Sequence, residues 1–348
     1  MFHLAEAWHT RRHEIEEQPA PSEIGGYAIA MDEKFASAFA NAGGMQIQAN
    51  LRGEMTPTNG NMWTPLGVVR FAREGWDSRL GPSDGADLES SGVTFAPEFR
   101  ENGKWLRMAD LPKRYEGVWS VKFVHPLLVR CAVDYRPKSG ETGPSFRNEF
   151  VITPDGIFST LTRTSREEIP WGVTWPILEN DGTALERTSG ERLRSVGYPG
   201  AADRQNYIAV DAAEMAEEAL LRSSYGDLRP IRVPASGSWQ RTFIYPQGAG
   251  DPSASAVRDS LVVTRDGWRS VLGTVGETTY VGRTAAGGFA KEIDLNRDGR
   301  PDVRFSKPCG FLIQLDSGKP VAIEADQDVE VRINGKSVKL VRHQPRRL

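Results

Sequence analysis

The sequence contains few of the features that assign a chain to a compartment or an enzyme class. Cysteine is scarce: the 348 residues include only Cys131 and Cys309, which lie far apart and are flanked by apolar or strand-forming residues. This spacing argues against a dense disulfide framework and against a zinc site. Two interpretations stay open, a pair of buried thiols or one long-range disulfide, and the disulfide would indicate an oxidising compartment.

Long apolar runs and an excess of one charge are also missing. No stretch of eighteen apolar residues is present, and the first residues lack the basic, apolar and small-residue order of a secretory signal. The formal net charge is -3, and both signs are interspersed along the chain. We therefore expect a soluble chain with neither nucleic acid nor membrane as a partner, because no strong field is available to attract either one.

Several catalytic motifs are absent as well. The sequence has no glycine-rich phosphate loop, no Gly-x-Ser-x-Gly elbow and no Cys/His zinc pattern. Kinase, dehydrogenase and serine-hydrolase activities are therefore disfavoured.

Short alternating segments and turn residues are abundant instead. The chain has 35 Gly and 22 Pro. Together with the short strand-like segments, these turn residues predict a mainly β protein, built as a large antiparallel β-sandwich of the supersandwich type. The predicted strands cover residues 45–51, 67–71, 118–124, 127–135, 146–153 and 156–162. Hairpin turns are predicted where a residue that tolerates positive φ precedes Gly, at 102–103, 155–156, 266–267 and 334–335.

Helices are expected at three places. Good helix formers predict a short N-terminal helix within residues 1–20, which Pro19 and Pro21 end. Small helices are predicted over residues 32–41 and 212–222. A Pro/Gly/Ser-rich stretch near residue 235 suggests three parts, 1–20, 21–234 and 235–348, although the last two also fit one continuous domain.

An acidic loop near the C-terminus has the spacing of a calcium loop. Oxygen-bearing residues occupy loop positions one, three, five and nine, with Gly299 at position six for the sharp turn. The expected ligands of a calcium ion are the side chains of Asp294, Asn296, Asp298 and Asp302 and the carbonyl of Arg300. Phe305 replaces the Glu of an EF-hand, and strands flank the loop, so a structural calcium site or an acidic turn that satisfies its own backbone are the two alternatives.

Aromatic and charged residues that suit a carbohydrate occur in three segments. Trp76 and Arg79 lie in the turn-rich loop 75–85, and Trp171 and Trp175 are spaced so that a strand places both on one face. Ordinary sandwich core is the alternative for the tryptophans. Arg147 and Glu149 share a strand face, where they form either a cross-strand salt bridge or a clamp for a uronic-acid carboxylate.

The order of these features resembles the β-sandwich modules of polysaccharide lyases of the heparinase II/III or chondroitinase type. The segments that carry the resemblance are residues 44–48 (GMQIQ), 64–71 (TPLGVVRF), 75–85 (GWDSRLGPSDG) and 150–156 (FVITPDG). In those families a helical toroid precedes the sandwich, and the cleft between the two modules carries Tyr and His chemistry. The resemblance implies a carbohydrate-active protein, periplasmic or extracellular, that works beside a helical toroid partner.

The resemblance also implies roles for individual residues. Tyr115 or His125 would transfer protons, and Arg79 or Arg147 would neutralise the uronate of an acidic polysaccharide or oligosaccharide. A structural turn histidine is the alternative for His125, since it precedes Pro126. Three functions stay open: a polysaccharide lyase, a non-catalytic carbohydrate-binding module stabilised by calcium, and a structural or cell-surface interaction protein.

Overall fold

The structure is a computed structural model of the full chain. It describes residues 25–31, 35–53, 65–73, 93–190, 192–201, 205–210, 212, 214–223, 226–246, 253–257, 260–265, 268–272, 277–282, 284–296, 298–333 and 335–348. The predicted N-terminal helix and the loop that carries Trp76 and Arg79 lie outside these residues.

Antiparallel strands account for most of the described chain. In chain order they are β1 Tyr27–Ala30, β2 Ser37–Ala42, β3 Met45–Asn50, β4 Gly67–Arg73, β5 Ala96–Glu101, β6 Lys104–Arg107, β7 Tyr115–His125, β8 Leu128–Pro137, β9 Phe146–Thr153, β10 Gly156–Arg163, β11 Trp171–Glu179, β12 Glu186–Ser189, β13 Leu193–Gly197, β14 Gln205–Val210, β15 Ala216–Glu217, β16 Leu221–Ser223, β17 Gly226–Pro234, β18 Trp239–Pro246, β19 Ser253–Val257, β20 Ser260–Arg265, β21 Trp268–Leu272, β22 Thr278–Val281, β23 Ala285–Ile293, β24 Val303–Asp316, β25 Lys319–Ala325, β26 Val329–Ile333, β27 Lys336–Leu340 and β28 Arg346–Arg347. Their hairpin connections are short, as expected for antiparallel sheets.

Within the described residues the strands form four sheets. A four-stranded sheet has the order β1-β2-β3-β4, and a six-stranded sheet has the order β15-β17-β11-β5-β6 with β16 also on β17. An eight-stranded sheet runs β12-β13-β14-β18-β10-β9-β8-β7. The C-terminal ten-stranded sheet runs β19-β20-β21-β22-β23-β24-β25-β28, and β26 and β27 branch from β24.

The first three sheets make a β-sandwich. A bridge between Val68 and Phe95 joins the four-stranded and six-stranded sheets into one layer. This layer packs on the eight-stranded sheet through aromatic contacts, such as Trp175 with Tyr207, whose ring centroids are 5.5 Å apart. Large buried rings of this kind supply much of the apolar area that stabilises a sandwich core.

The opposite face of the eight-stranded sheet is covered by the C-terminal sheet. Phe158 and Phe243 stack there with centroids 4.2 Å apart, and Tyr280 and Leu312 of the C-terminal sheet belong to the same buried cluster. The eight-stranded sheet is therefore apolar on both faces over part of its area, unlike a sheet with one solvated face.

The predicted fold class is confirmed, and so are most of the predicted strands. The hairpin at Asn102-Gly103 joins β5 to β6, and both turn residues have positive φ, 49° and 80°. That backbone is the reason for Asn-Gly in such a turn. The hairpins at 155–156 and 334–335 also join paired strands, and residues 266–267 lie outside the described chain between two strands that pair.

Two predicted helices are wrong where the structure describes them. Ser37–Ala42 is a strand that pairs with neighbours on both sides, and Ala216–Glu217 and Leu221–Ser223 pair with β17. Ala, Glu, Met and Leu favour helices in isolation, but a sheet edge that satisfies their backbone groups overrides this weak propensity. The helical turn that the described residues contain is a 3-10 helix at Met108–Asp110.

The cysteines and the boundary near residue 235 had left alternatives open. Cys131 and Cys309 are both free and buried, so the thiol interpretation is confirmed.

The three-part division stays a prediction. The strand β18, which follows residue 235, lies between β14 and β10 in the eight-stranded sheet. None of the described residues belongs to a helix with the length and apolarity needed to span a bilayer.

A core substitution tests the packing of the sandwich. Trp175 is fully buried, and its Nε1 donates a hydrogen bond to Thr242 Oγ1 at 3.1 Å. We expect Trp175→Ala to lower the free energy of unfolding by about 3–5 kcal/mol in urea titrations, because it leaves a cavity and removes one buried hydrogen bond.

The matched control is Ile29→Ala, at a side chain that is 52% exposed. We expect it to change the free energy of unfolding by no more than about 0.5 kcal/mol. Equal losses in the two variants would contradict the placement of Trp175.

Candidate functional site

Arg147 and Glu149 lie on the face of the eight-stranded sheet that points away from the sandwich core. Arg147 Nη1 donates to both oxygens of Asp134, on the neighbouring strand, at 2.8 and 2.9 Å. Its Nε donates to Glu149 Oε1 at 3.1 Å. Two carboxylates thus occupy the guanidinium donors, which is the geometry of the cross-strand salt bridge.

This network continues to the C-terminal sheet through Arg130. Arg130 Nη2 lies 3.4 Å from Glu149 Oε2, and Nη1 lies 3.8 Å from Asp326 Oδ2. The guanidinium also stacks on the ring of Phe289 at 3.7 Å. Two guanidinium groups here face three carboxyl groups, so an acidic ligand would meet an excess of negative charge.

The two residues expected to transfer protons occupy structural positions. Tyr115 is fully buried, burial raises the pKa of its hydroxyl, and that hydroxyl has no hydrogen-bond partner in the described chain. His125 Nδ1 accepts a hydrogen bond of 3.1 Å from Leu127 N in the β7–β8 turn, and burial lowers its pKa. A polymer does not reach the Tyr115 hydroxyl, and the His125 contact matches the turn-histidine alternative.

Trp171 and Trp175 belong to the core alternative as well. They are 4% and 0% exposed, and both are part of the buried cluster between the two layers of the sandwich. A sugar ring stacks on an aromatic face that is open to solvent. The structure therefore leaves these two rings unavailable as a stacking platform.

The acidic loop satisfies many of its own backbone groups. Asp302 Oδ2 accepts hydrogen bonds from the backbone N–H groups of Leu295 and Asn296. Asp294 Oδ2 accepts one from Gly299, whose φ of +85° suits glycine at the sharp turn. Further contacts of the same kind run from Asp298 N to Asn296 Oδ1 and from Arg300 N to Asp298 Oδ1.

These oxygen donors are of the type that calcium prefers. Among the residues that the structure describes, however, no group of three or more His, Cys, Asp or Glu side chains is arranged to hold a metal ion. The calcium site stays a prediction.

The sequence analysis missed a second cluster, on the outer face of the six-stranded sheet. Phe99, Leu106 and Val233 point from this sheet into the core or pack against it. Their neighbours along each strand point to the opposite face. We call five residues on that face and at its edge the arginine–carboxylate cluster: Glu98, Trp105, Arg107, Glu218 and Arg232.

Glu218 joins the two arginines of the cluster. Its Oε1 accepts a hydrogen bond from Arg232 Nη2 at 2.6 Å, and its Oε2 lies 3.1 Å from Arg107 Nη1. Arg107 also pairs with Asp110 at 2.9 Å. The guanidinium carbon of Arg232 lies 4.5 Å from the ring centroid of Trp105, a cation–π distance.

Glu98 lies beneath these groups and is almost completely buried. Arg232 Nε is 3.2 Å from Glu98 Oε2 but without hydrogen-bond geometry, so neither carboxyl oxygen has a hydrogen-bond partner in the described chain. Burial raises the pKa of Glu98 to about 8, Arg232 opposes this rise, and the Glu218 carboxylate adds to it. We therefore expect the Glu98 carboxyl to be protonated at pH 7.

The charges of the cluster and its aromatic ring suit an acidic ligand. With Glu98 protonated, the two guanidinium groups balance the carboxylates of Glu218 and Asp110. Arg107 and Arg232 are 12% and 14% exposed, and Trp105 is half-buried, so their outer edges contact solvent. A guanidinium pair beside an aromatic ring supplies donors for a carboxylate and a face for the C–H groups of a sugar.

Sequence reasoning had little signal for this cluster. Glu98 and Arg107 lie on the two strands of a hairpin that the Asn102-Gly103 turn did predict. Alternation along β5 places Glu98 on the sheet face that Phe99 does not occupy. Nothing local to the sequence connects that hairpin with Arg232 or Glu218.

Known proteins resemble this chain in fold and not in sequence. No family model matches its sequence, and no curated protein matches it. Among solved structures, it is similar to the chondroitin AC lyase of Streptomyces coelicolor A3 in complex with chondroitin sulphate, at 11% identity and a TM-score of 0.42, over 91% of this chain and 45% of that chain. It is also similar to a chondroitin lyase that is a baculovirus envelope protein, at 10% identity and a TM-score of 0.34, over 82% of this chain and 51% of that chain.

The chain spans about half the length of each of these two solved structures.

The buried Glu98 predicts a pH dependence of stability. The folded state holds a proton on Glu98 up to about pH 8, whereas the unfolded chain releases it near the ordinary pKa of Glu. Above that ordinary pKa the folded state binds more protons, so this group makes stability fall as pH rises, by at most about 1.4 kcal/mol per pH unit.

Glu98→Gln removes this titration. We expect the free energy of unfolding of the variant, measured relative to wild type, to rise between pH 5 and pH 8 in urea titrations. Glu116→Gln, at a partly exposed carboxylate on another sheet, is the control and should show no such trend. A constant difference for Glu98→Gln would contradict a neutral Glu98.

Calcium binding by the acidic loop is a separate prediction. Isothermal titration of metal-free protein should show binding of calcium at millimolar concentration or below, and Asp298→Ala should abolish it, because the variant loses a carboxylate at loop position five. Asp316→Ala, in another acidic turn, is the control. Absence of binding, with Asp298→Ala leaving the melting temperature unchanged, would identify the loop as an acidic turn only.

Proposed function

We propose that this chain binds an acidic polysaccharide through the outer face of the six-stranded sheet. The observation that carries the proposal is the arrangement of Arg107, Arg232 and Trp105, two guanidinium groups and an aromatic ring whose edges contact solvent. This combination suits a polymer that presents a carboxylate next to an apolar sugar face.

The alternative site at Arg147 is less suited to such a ligand. Its guanidinium contacts the carboxylates of Asp134 and Glu149 on neighbouring interior strands, and no aromatic ring accompanies it among the contacts described. The charge excess there is negative, whereas the arginine–carboxylate cluster is balanced and Arg232 lies against Trp105.

The finer proposal is that the chain acts as the β-sheet module of a polysaccharide lyase, in a periplasmic or extracellular setting and beside a helical toroid. In lyase chemistry a base takes the proton from the sugar carbon next to the carboxylate, the bond to the glycosidic oxygen breaks, and an acid or water gives that oxygen a proton, which leaves a carbon–carbon double bond in the sugar. Within the described residues, Tyr115 is too deeply buried to serve as the base. Binding by this chain, with the base supplied from residues outside the described part or from a partner, is the version that the geometry favours.

Binding is tested with unsulfated chondroitin, a glucuronate polymer, by isothermal titration calorimetry at low salt. We expect wild-type protein to bind it and the carboxyl-reduced polymer to bind at least about tenfold more weakly, since the arginine pair loses its partner. Trp105→Ala and Arg107→Gln should each weaken binding by about tenfold.

The matched control is Arg136→Gln, an arginine that is 58% exposed on another sheet, and it should leave binding unchanged. A loss in Arg136→Gln equal to that in Arg107→Gln, with Trp105→Ala unchanged, would indicate attraction by overall charge only, and the proposed site would be wrong. In the same samples, new ultraviolet absorbance from an unsaturated product indicates a lyase, and binding without that signal indicates an accessory module.

A further inference from the structure

The carboxylate of Glu218 has the position that a bound ligand carboxylate would take. One of its oxygens accepts from Arg232 at 2.6 Å and the other lies 3.1 Å from Arg107. A single carboxylate that spans two guanidinium groups is the arrangement by which proteins recognise acidic ligands.

Glu218 also comes from a part of the sheet where a side chain can leave without disturbing the core. It follows the two-residue strand β15 at the edge of the six-stranded sheet. Its backbone N–H donates to the carbonyl of Pro230 at 3.0 Å, and its carbonyl accepts from Arg229. The side chain is 27% exposed, so a rotation about its side-chain bonds moves the carboxylate into solvent while these backbone contacts remain.

The charge balance of the cluster favours an exchange of one carboxylate for another. With Glu98 neutral, removal of Glu218 leaves one uncompensated positive charge between Arg107 and Arg232. A ligand with one carboxylate restores the balance. A neutral sugar does not, and it would leave the guanidinium donors without an acceptor.

Polar groups also lie beneath the arginine pair. Its carboxyl group lies under Arg232, nearly free of solvent contact and without a hydrogen-bond partner in the described chain. The Oγ1 of Thr174, on the same face two residues along β11 from the position that pairs with Glu98, is also buried and without a hydrogen-bond partner there. These two buried polar groups show that the packing beneath Arg232 is polar rather than apolar.

We propose that Glu218 is an internal stand-in for the ligand, and that the carboxylate of a uronate sugar displaces it to bind between Arg107 and Arg232 with the sugar ring against Trp105. This inference rests on the proposed function and adds a regulatory element to it. The chain holds its own binding site closed with a carboxylate, and only a ligand that carries a carboxylate opens it at low cost.

Glu218→Gln tests the displacement directly. The amide has almost the same size as the carboxylate but no charge, so it competes less strongly for the two arginines. We expect the affinity for unsulfated chondroitin to rise about tenfold relative to wild type in isothermal titrations. The affinity for the carboxyl-reduced polymer should not rise.

The neighbouring carboxylate provides the matched control. Glu217 is 39% exposed and pairs with Arg187 and Arg229 rather than with the cluster. Glu217→Gln removes the same charge from the same edge and should leave the affinity unchanged. Equal gains in the two variants would show that overall charge acts, and the displacement proposal would be wrong.

A stability measurement covers the case in which Glu218→Gln folds poorly. The variant should melt below wild type, and sodium glucuronate at millimolar concentration should raise its melting temperature by more than it raises that of wild type, whereas glucose should raise neither. If glucuronate raises the melting temperature of the variant no more than that of wild type, Glu218 has a structural role and the displacement proposal is wrong.

The two proposals fail separately. Binding by wild type with no gain in Glu218→Gln overturns the stand-in role and leaves the proposed function in place. Absence of binding by wild type and by every variant, with folded protein confirmed by melting, overturns both.

Discussion

Burial of the eight-stranded sheet on both faces is the constraint on which the rest of the structure depends. One face packs against the joined four-stranded and six-stranded sheets through rings such as Trp175 and Tyr207. The other face packs on the C-terminal sheet through Phe158 and Phe243. An antiparallel sheet commonly solvates one face, whereas this sheet is the centre of a layered molecule.

The two arginine networks differ in their partners rather than in their exposure. Arg130 and Arg147 on the central sheet both contact Glu149, and Arg130 also faces Asp326. Arg147 is 25% exposed and Arg107 is 12% exposed. The cluster on the six-stranded sheet carries the functional proposal because Arg232 lies against the ring of Trp105 and because the charges there are balanced.

Burial within the cluster also changes the pKa of an acidic side chain. Glu98 is placed on the outer face by alternation along β5, yet it is almost completely buried beside Arg232, and this burial raises its pKa to about 8. A neutral Glu98 leaves the two arginines with just enough negative charge from Glu218 and Asp110. An ionised Glu98 would make the cluster acidic and would repel the class of ligand that the arginines suit.

The sequence by itself determined the parts of the protein that depend on local rules. Alternation predicted the strand at 45–51, and β-branched or aromatic content predicted those at 67–71, 118–124, 127–135, 146–153 and 156–162. Asn102-Gly103 predicted its hairpin, because side-chain period and turn geometry are properties of a few adjacent residues. The helix predictions at Ser37–Ala42 and near Ala216 failed because sheet pairing by distant strands overrode a weak local propensity. Only the tertiary structure decided that Trp171 and Trp175 are core and that Glu98, Glu218 and Arg232 meet, since burial and charge pairing are set by strands that lie far apart in the chain and adjacent in the sheet.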